Sequence, residues 1–398
     1  MRRDDIKALY TALGRRGFTQ TLAELLEGRD QSGKQTPKLD ANDVSIRALW
    51  EGLVGPVEET LPGASGRGQI LNYVDTAEAV DTSAFASATG VLIASKVIEG
   101  YQMDGMIGDE LVTNMPSKLK QERMVGFTSL EGPEEVGEGM PYGESGFAEK
   151  FVTSEAFKKG RILEVSEEVV IFDQTGQILI RASRLGEMAR QEREETILAG
   201  VVDVGAATAN TRYKDVYRPA GVAETLYVAS NNNLLATATP LVDWTDIDEA
   251  MRYHAENVKD DRAVSGEQRP IIWMPNTLLT SRRLAGTAAR IVSATEVRSG
   301  TASTNDVTMV TNNPLRNIIG GNFRALSSPL LDYLAGVASS RYNDAQDWFL
   351  GDFKRQFMWQ EIYPLQTLRA QANDEAMFRR DIVARFKVRY MGGVFAAD

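Results

Sequence analysis

From Asp173 to Ala199 the chain reads DQTGQILIRASRLGEMARQEREETILA, with no proline and a charge in almost every turn. Ile178, Ala182, Leu185 and Ala189 follow one another at four-, three- and four-residue steps, the pattern of a helix with one apolar stripe. Asp173 is a candidate N-cap and Gly200 the expected stop. At ~1.5 Å per residue this helix spans roughly 40 Å. Arg184 with Glu187, and Arg190 with Glu194, are spaced to pair along its exposed side. A rod that long with one narrow apolar stripe is expected to lie across a sheet rather than be engulfed.

Upstream, the pattern is helical but broken. Ile6, Leu9, Tyr10, Leu13, Leu22, Leu25 and Leu26 recur at helical spacing, with Gly14 and Gly17 expected to split them into two pieces. A polar stretch leads to a short helix around Ile46, Leu49, Trp50 and Leu53. Glycine- and proline-rich sequence follows from Gly52 to Gly68, then a helix from Ser83 to Glu99 with Ser83 as its cap. These pieces read as an extended arm of separate helices that needs something else to pack on.

From Gln121 the texture becomes β-branched and aromatic. ERMVGFTSL and GFAEKFVTSEAFKKGRILEV read as strands, with EGPEEVGEGMPYGESG between them. That tip, carrying Glu131, Glu134, Glu135, Glu138 and Glu144 among glycines and prolines, cannot form a core, so a long hairpin projecting into solvent is expected. VSEEVV leads on into the rod. The centre reads as mixed α/β. TDIDEAMRYHAENV opens with Thr245 and Asp248 at capping-box spacing. RPIIWMPNTLLTSRRL reads as a buried strand, a proline turn and a helix capped by Asn276 or Thr277. DVTMVT is a strand, and SPLLDYLAGVASSRY a helix led by Ser328 and Pro329. At the end, Ala384, Phe386, Val388 and Tyr390 alternate with Arg385, Lys387 and Arg389, a strand with one apolar and one basic face.

Composition removes most chemistry. The 398 residues include no cysteine, which excludes disulfides, thiolate metal sites and cysteine catalysis. The single histidine, His254, excludes every two-histidine metal site; inside a helix it reads as a surface or capping residue. A net charge of −11 argues against a phosphate-gripping surface. No apolar run approaches the ~20 residues of a membrane span. The N-terminus MRRDDIKALYTALGRRG lacks the apolar region of a signal peptide, so a soluble cytoplasmic product is expected. Gly28, Gly33 and Lys34 in GRDQSGKQT match a phosphate-binding loop. However, Gln35 stands where a hydroxyl is needed, and a helix precedes the motif where a strand is required, so Gly28 to Thr36 reads as a solvated linker. GASGRGQ has glycines in the wrong order for a dinucleotide fold. The glutamates of the hairpin tip lack the rigid support a catalytic carboxylate needs. The basic face of the last strand reads as solvated or interfacial rather than nucleic-acid binding. No catalytic, cofactor-binding or metal residue is assigned.

The order of these elements resembles the major capsid proteins of tailed phages, with the Hong Kong 97-type fold. The resemblance is carried by KFVTSEAFKKGRILEVSEEVVIFDQTGQILIRASRLGEMARQEREETILAG: a hairpin, the family's E-loop, returning through a basic strand into Val165 to Glu168. Asp173 then opens the spine helix, which ends near Ile197 to Gly200. FRRDIVARFKVRYMGGVFAAD resembles the terminal strand of the family's peripheral domain, while IDEAMRYHAENV and RPIIWMPNTLL resemble parts of its axial domain.

The resemblance covers roughly residues 119 to 398. It implies an α+β chain with a helical N-terminal arm over 1–118, an E-loop over 119–165 and a peripheral domain over 166–225 with its spine helix at 173–199. An axial domain over 226–349 and closing peripheral strands over 350–398 complete it. The long helical N-terminus departs from the family and is expected to be retained as an arm lacing neighbouring capsomers. The implied function is self-assembly through hexamers and pentamers into an icosahedral shell that encloses double-stranded DNA without sequence-specific binding. A portal, and scaffold or decoration proteins, are the further partners, and no membrane is involved. An encapsulin-type compartment would share the fold. Some family members crosslink a lysine to an asparagine; Lys150, Lys158 and Lys159 lie on this hairpin without an assignable partner, so no crosslink is expected.

Overall fold

The computed structural model describes residues 3–30, 32–60, 76–127, 135–136, 138, 140, 142, 149–204, 225–235, 239–261, 268–270, 275–299, 309–313, 323–337, 342–371 and 381–396. Two compact units are each assembled from separated stretches of chain.

The first unit draws on Met1–Gly105, Lys158–Glu192 and Tyr363–Met391. Its helices are α1 (Arg3–Glu27), α2 (Ile46–Leu53), α3 (Val57–Thr60), α4 (Thr76–Tyr101), α6 (Glu167–Ile171) and the first part of α7 (Thr175–Val201). α1 bends at Gly14, whose φ of 65° leaves the helical region, while Gly17 stays helical. One of the two expected breaks therefore occurs. α2 is capped by Ser45, which accepts from the Ala48 N–H, and it buries Ile46, Leu49, Trp50 and Leu53. α4 begins earlier than expected, so Ser83 lies inside it instead of capping it. Three strands complete the unit: β4 (Phe157–Ser166), and parts of β12 (Phe357–Gln371) and β13 (Ile382–Ala396), in the order β12-β13-β4.

One cluster joins these elements. Phe18 and Leu22 of α1, Leu49 and Trp50 of α2, and Phe85, Leu92 and Ile93 of α4 pack with Val165 of β4, Ile178, Leu179 and Ala182 of α7, and Ala384, Phe386 and Val388 of β13. This corrects the expected N-terminal arm: its helices find their packing partner in their own chain. Each fully buried Leu or Phe there contributes ~1.5–3 kcal/mol, and that gain is lost if the helices stand apart.

The second unit comprises Met106–Phe157, Arg193–Ile362 and Gly392–Asp398. After α5 (Gly108–Leu111), β1 (Thr113–Pro116) runs parallel to the start of β12, with Thr113 opposite Met358. β2 (Gln121–Phe127) and β3 (Glu149–Glu155) form the expected antiparallel hairpin, Gln121 opposite Glu155 and Phe127 opposite Glu149. Of its tip glutamates, Glu135 and Glu138 are exposed, and Glu131, Glu134 and Glu144 lie outside the described residues, as does GASGRGQ.

α8 (Trp244–Asn257) is capped by Asp243 in a box with Asp246, two positions before the expected Thr245 and Asp248. β5 (Lys259–Asp261) pairs antiparallel with β6 (Gln268–Pro270). β7 (Thr277–Ser281) is a strand where a helix was expected, and Asn276 and Thr277 cap nothing. It is buried along its length between β10 (Arg324–Ser328), parallel to it, and β11 (Trp348–Gly351), antiparallel. A strand covered on both faces shows no alternation, so its apolar run imitates a buried helix. The helix follows it as α9 (Ala285–Ser293), and Leu278 packs with Leu241, Ile247, Ala288 and Ile291. β8 (Glu296–Ser299) pairs with β9 (Met309–Asn312); Asp306 to Thr308 of the expected strand lie outside the described residues. α10 (Pro329–Ala335) starts as expected, with Ser328 accepting from the Leu330 N–H, and α11 (Phe353–Gln356) precedes β12.

Candidate functional site

The phosphate-loop candidate is closed by its own side chain. The Asp30 carboxylate accepts from the Ser32 N–H (2.9 Å), the Ser32 hydroxyl (2.6 Å) and the Lys34 N–H (2.8 Å). The Ser32 hydroxyl, then the Lys34 N–H, holds its pKa below the usual carboxylate value. A carboxylate thus occupies the amides that a phosphate would need, and Lys34 is exposed. His254 lies in the last turn of α8, where burial pushes its imidazole pKa down and favours the neutral ring. Lys34 belongs to the first unit and His254 to the second. Among the described residues no group of three or more acidic or histidine side chains can hold a metal ion. The basic face of β13 is half-buried: Arg385 pairs with Glu164 (3.2 Å), and Arg389 stacks over Tyr363 (4.9 Å) and donates to Gln366 (3.4 Å). These arginines are engaged within the sheet.

What the chain does build carefully is the seating of α7. Asp173 is not its cap. It sits at φ 47°, two residues before the helix, and its carboxylate accepts the hydroxyls of Ser45 (2.8 Å) and Thr175 (2.7 Å). The Thr175 hydroxyl in turn accepts from the Ile46 N–H (2.7 Å), which ties the start of α7 to α2. Further along, Gly186 lies against the Val97 carbonyl of α4, and Gly100 of α4 lies against the Ser183 carbonyl. A Cβ at either glycine would come within 2.1 Å of that oxygen. Lys159 of β4 pairs with Glu192 (2.8 Å).

In the second unit the end of α7 departs from the one-stripe pattern. Arg193, Glu194 and Glu195 are all buried, so Glu194 is not on the exposed side. Its carboxylate accepts from the Ile107 and Gly108 N–H groups, 2.8 Å each. Arg193 pairs with Asp109 (2.7 Å), donates to Asn114 (3.2 Å) and lies over the Trp359 ring (5.1 Å). Gly200 does not stop the helix. It runs to Val201, and Asp203, at φ 52°, turns the chain while the Val204 N–H bonds the Ala199 carbonyl (3.0 Å). The Asp203 carboxylate accepts from the Leu226 N–H (2.8 Å), and the Tyr227 hydroxyl donates to the Val201 carbonyl (2.7 Å). Burial, then the charge of Asp203, pushes the Tyr227 pKa up and keeps that donor protonated.

The hairpin is fastened at its base. The Ala156 N–H bonds the Lys120 carbonyl (2.9 Å), and Gln360 of β12 donates to Ser117 (3.1 Å) and to the Leu119 carbonyl (2.8 Å). Sequence reasoning found the hairpin and the rod but missed Glu194, Asp203 and the bonds of Asp173. Apart from Thr175, their partners lie more than twenty residues away, so no local spacing marks them.

These elements are a fastened hairpin, a long helix anchored at both ends and a closing strand. A family model described as phage capsid protein matches residues 152–398. No curated protein matches the chain. Among solved structures, one from Mycobacterium phage Bobi is 15% identical over 74% of this chain and 84% of its own, with a TM-score of 0.43. The capsid asymmetric unit of cyanophage Pam1 is 14% identical over 75% and 90%, with a TM-score of 0.42. The capsid of a native GTA particle is 9% identical over 74% and 88%, with a TM-score of 0.40. These structural likenesses are resemblances only. Since the family match spans more than half of its residues, the chain belongs to the phage capsid protein family.

Proposed function

We propose that this capsid protein is the major subunit of the icosahedral head shell of a tailed phage, assembling with copies of itself as hexamers and pentamers. The shell encloses double-stranded DNA and grips no particular sequence. It joins a portal, with scaffold or decoration proteins as further partners, and it is made and assembled in the host cytoplasm. The observation that carries this reading is the family match over residues 152–398, which begins inside β3 of the hairpin and includes all of α7 and β13.

The geometry supports a division of labour. The hairpin, fastened at its base by Gln360, lies over a neighbouring subunit in the same capsomer. The spine helix and its sheet form the stiff plate that carries tension in the wall, and residues 226–349 form the axial domain around each symmetry axis. Lacing by the N-terminal helices is left out, because their apolar faces are buried in the chain's own core. A standard interface of about 800 Å² per partner, repeated around each subunit, gives a shell tighter than any single pair. A net charge of −11 lets that shell confine DNA without adhering to it.

Light scattering and electron microscopy of the native material test this. The expected result is a closed particle of megadalton mass containing nuclease-protected DNA. A monomer overturns the shell, and a particle filled with protein instead of DNA turns the reading to an encapsulin-type compartment.

A further inference from the structure

Two arginines from distant parts of the sequence lie against one face of α4. Arg15 of α1 donates to the Ser87 hydroxyl (3.2 Å), and the Arg369 side chain of β12 lies against Gly90, one turn further along. Ser87 is buried and its own proton goes to the Ser83 carbonyl (2.8 Å), so it is a fixed acceptor for one of the five guanidinium N–H donors. Both arginines are exposed, and among the described residues neither forms an ion pair. Partial burial, then the charge of Arg15, lowers the Arg369 pKa, as expected of cations placed close together without an anion. Placing two guanidinium groups one turn apart on the same helix face favours an anion that bridges them, and their planar forks match a carboxylate.

The sequence offers such carboxylates in one place above all. Glu131 to Glu144 carries five glutamates and no lysine or arginine, and Glu135 and Glu138 are exposed. DNA phosphate is the weaker candidate, because backbone binding relies on many cations at once and this chain carries a net charge of −11. We propose that Arg15 and Arg369 form a carboxylate-binding site that receives the acidic segment Glu131–Glu144 of a second copy of this chain. The site rests on the shell reading, in which each hairpin lies on a neighbour.

The test uses the full chain, with assembly followed by light scattering and folding of the dissociated subunit by circular dichroism. Arg15→Glu with Arg369→Glu is expected to raise the concentration needed for assembly about tenfold, since like charges then face each other. Adding Glu134→Arg and Glu135→Arg to the same chain should recover most of that loss. A second measurement does not depend on the charge variants. Because the chain has no cysteine, copies carrying Arg16→Cys can be mixed with copies carrying Val136→Cys, and oxidation of the particles should yield a covalent dimer. If the charge-reversed subunit misfolds, this crosslink decides. An unchanged threshold, a reversal that the compensating charges do not rescue, or no dimer overturns the site while wild-type particles keep the shell reading intact. Normal assembly with DNA retention alone weakened also overturns it, in favour of phosphate. Should the wild-type chain form no particle, the shell reading fails and the site fails with it.

Discussion

Glu194 holds two backbone N–H groups while only 1% exposed, so its removal leaves two donors in a place water does not reach. Glu194→Ala is expected to destabilise the subunit by about 2–3 kcal/mol, read as an earlier midpoint in urea unfolding. His254 gives a second test, in pH. Its folded pKa lies below the ordinary value, so the unfolded chain takes up the proton first as the solution is acidified. Its contribution is therefore complete above the ordinary histidine pKa and is lost as pH falls through the folded value. Wild type should lose stability relative to His254→Gln as the pH falls below the ordinary histidine pKa of about 6.5 in paired thermal melts. Neither environment could be read from spacing. Arg190 four residues before Glu194 suggests a surface pair, and nothing near Glu194 announces that Ile107 and Gly108 are waiting for it.

Among the elements, α7 was legible through its apolar stripe, and β2 and β3 through their β-branched and aromatic content. Their ends were less so. Asp173 bonds Ser45 and Thr175 instead of capping, and the helix passes Gly200 because Asp203 supplies the left-handed turn. β7 was misread because complete burial erases the alternation that marks a strand. The crossing of α4 and α7 also left no trace in the pattern, although it fixes what Gly186 can become. Gly186→Ala places a methyl group 2.1 Å from the Val97 carbonyl oxygen and is expected to cost about 1–3 kcal/mol. Gly176→Ala, in the same helix with open space around its Cβ, should instead stabilise by about 0.5–1 kcal/mol. The opposite signs, measured by thermal unfolding, separate a packing requirement from a general effect of glycine in the helix.

For the whole molecule, the order of elements pointed to the family, and the absence of cysteine and of a second histidine had already closed off much enzyme chemistry. Deleting Gly132 to Gly146 should leave the subunit's circular dichroism unchanged and sharply lower the yield of particles; normal yield would remove the hairpin from the assembly mechanism. The N-terminal helices were misjudged because the core they join also takes in α7 and β13, the latter more than three hundred residues away in sequence from α1 and α2. That same contact has a consequence during synthesis. Phe18, Leu22 and Trp50 emerge from the ribosome more than three hundred residues before Phe386 and Val388, which share their core. At ~5–20 residues per second the early helices wait tens of seconds, exposed to chaperones. A chain that stops short of β13 leaves this core open, so completion of the fold itself marks which copies are whole enough to assemble.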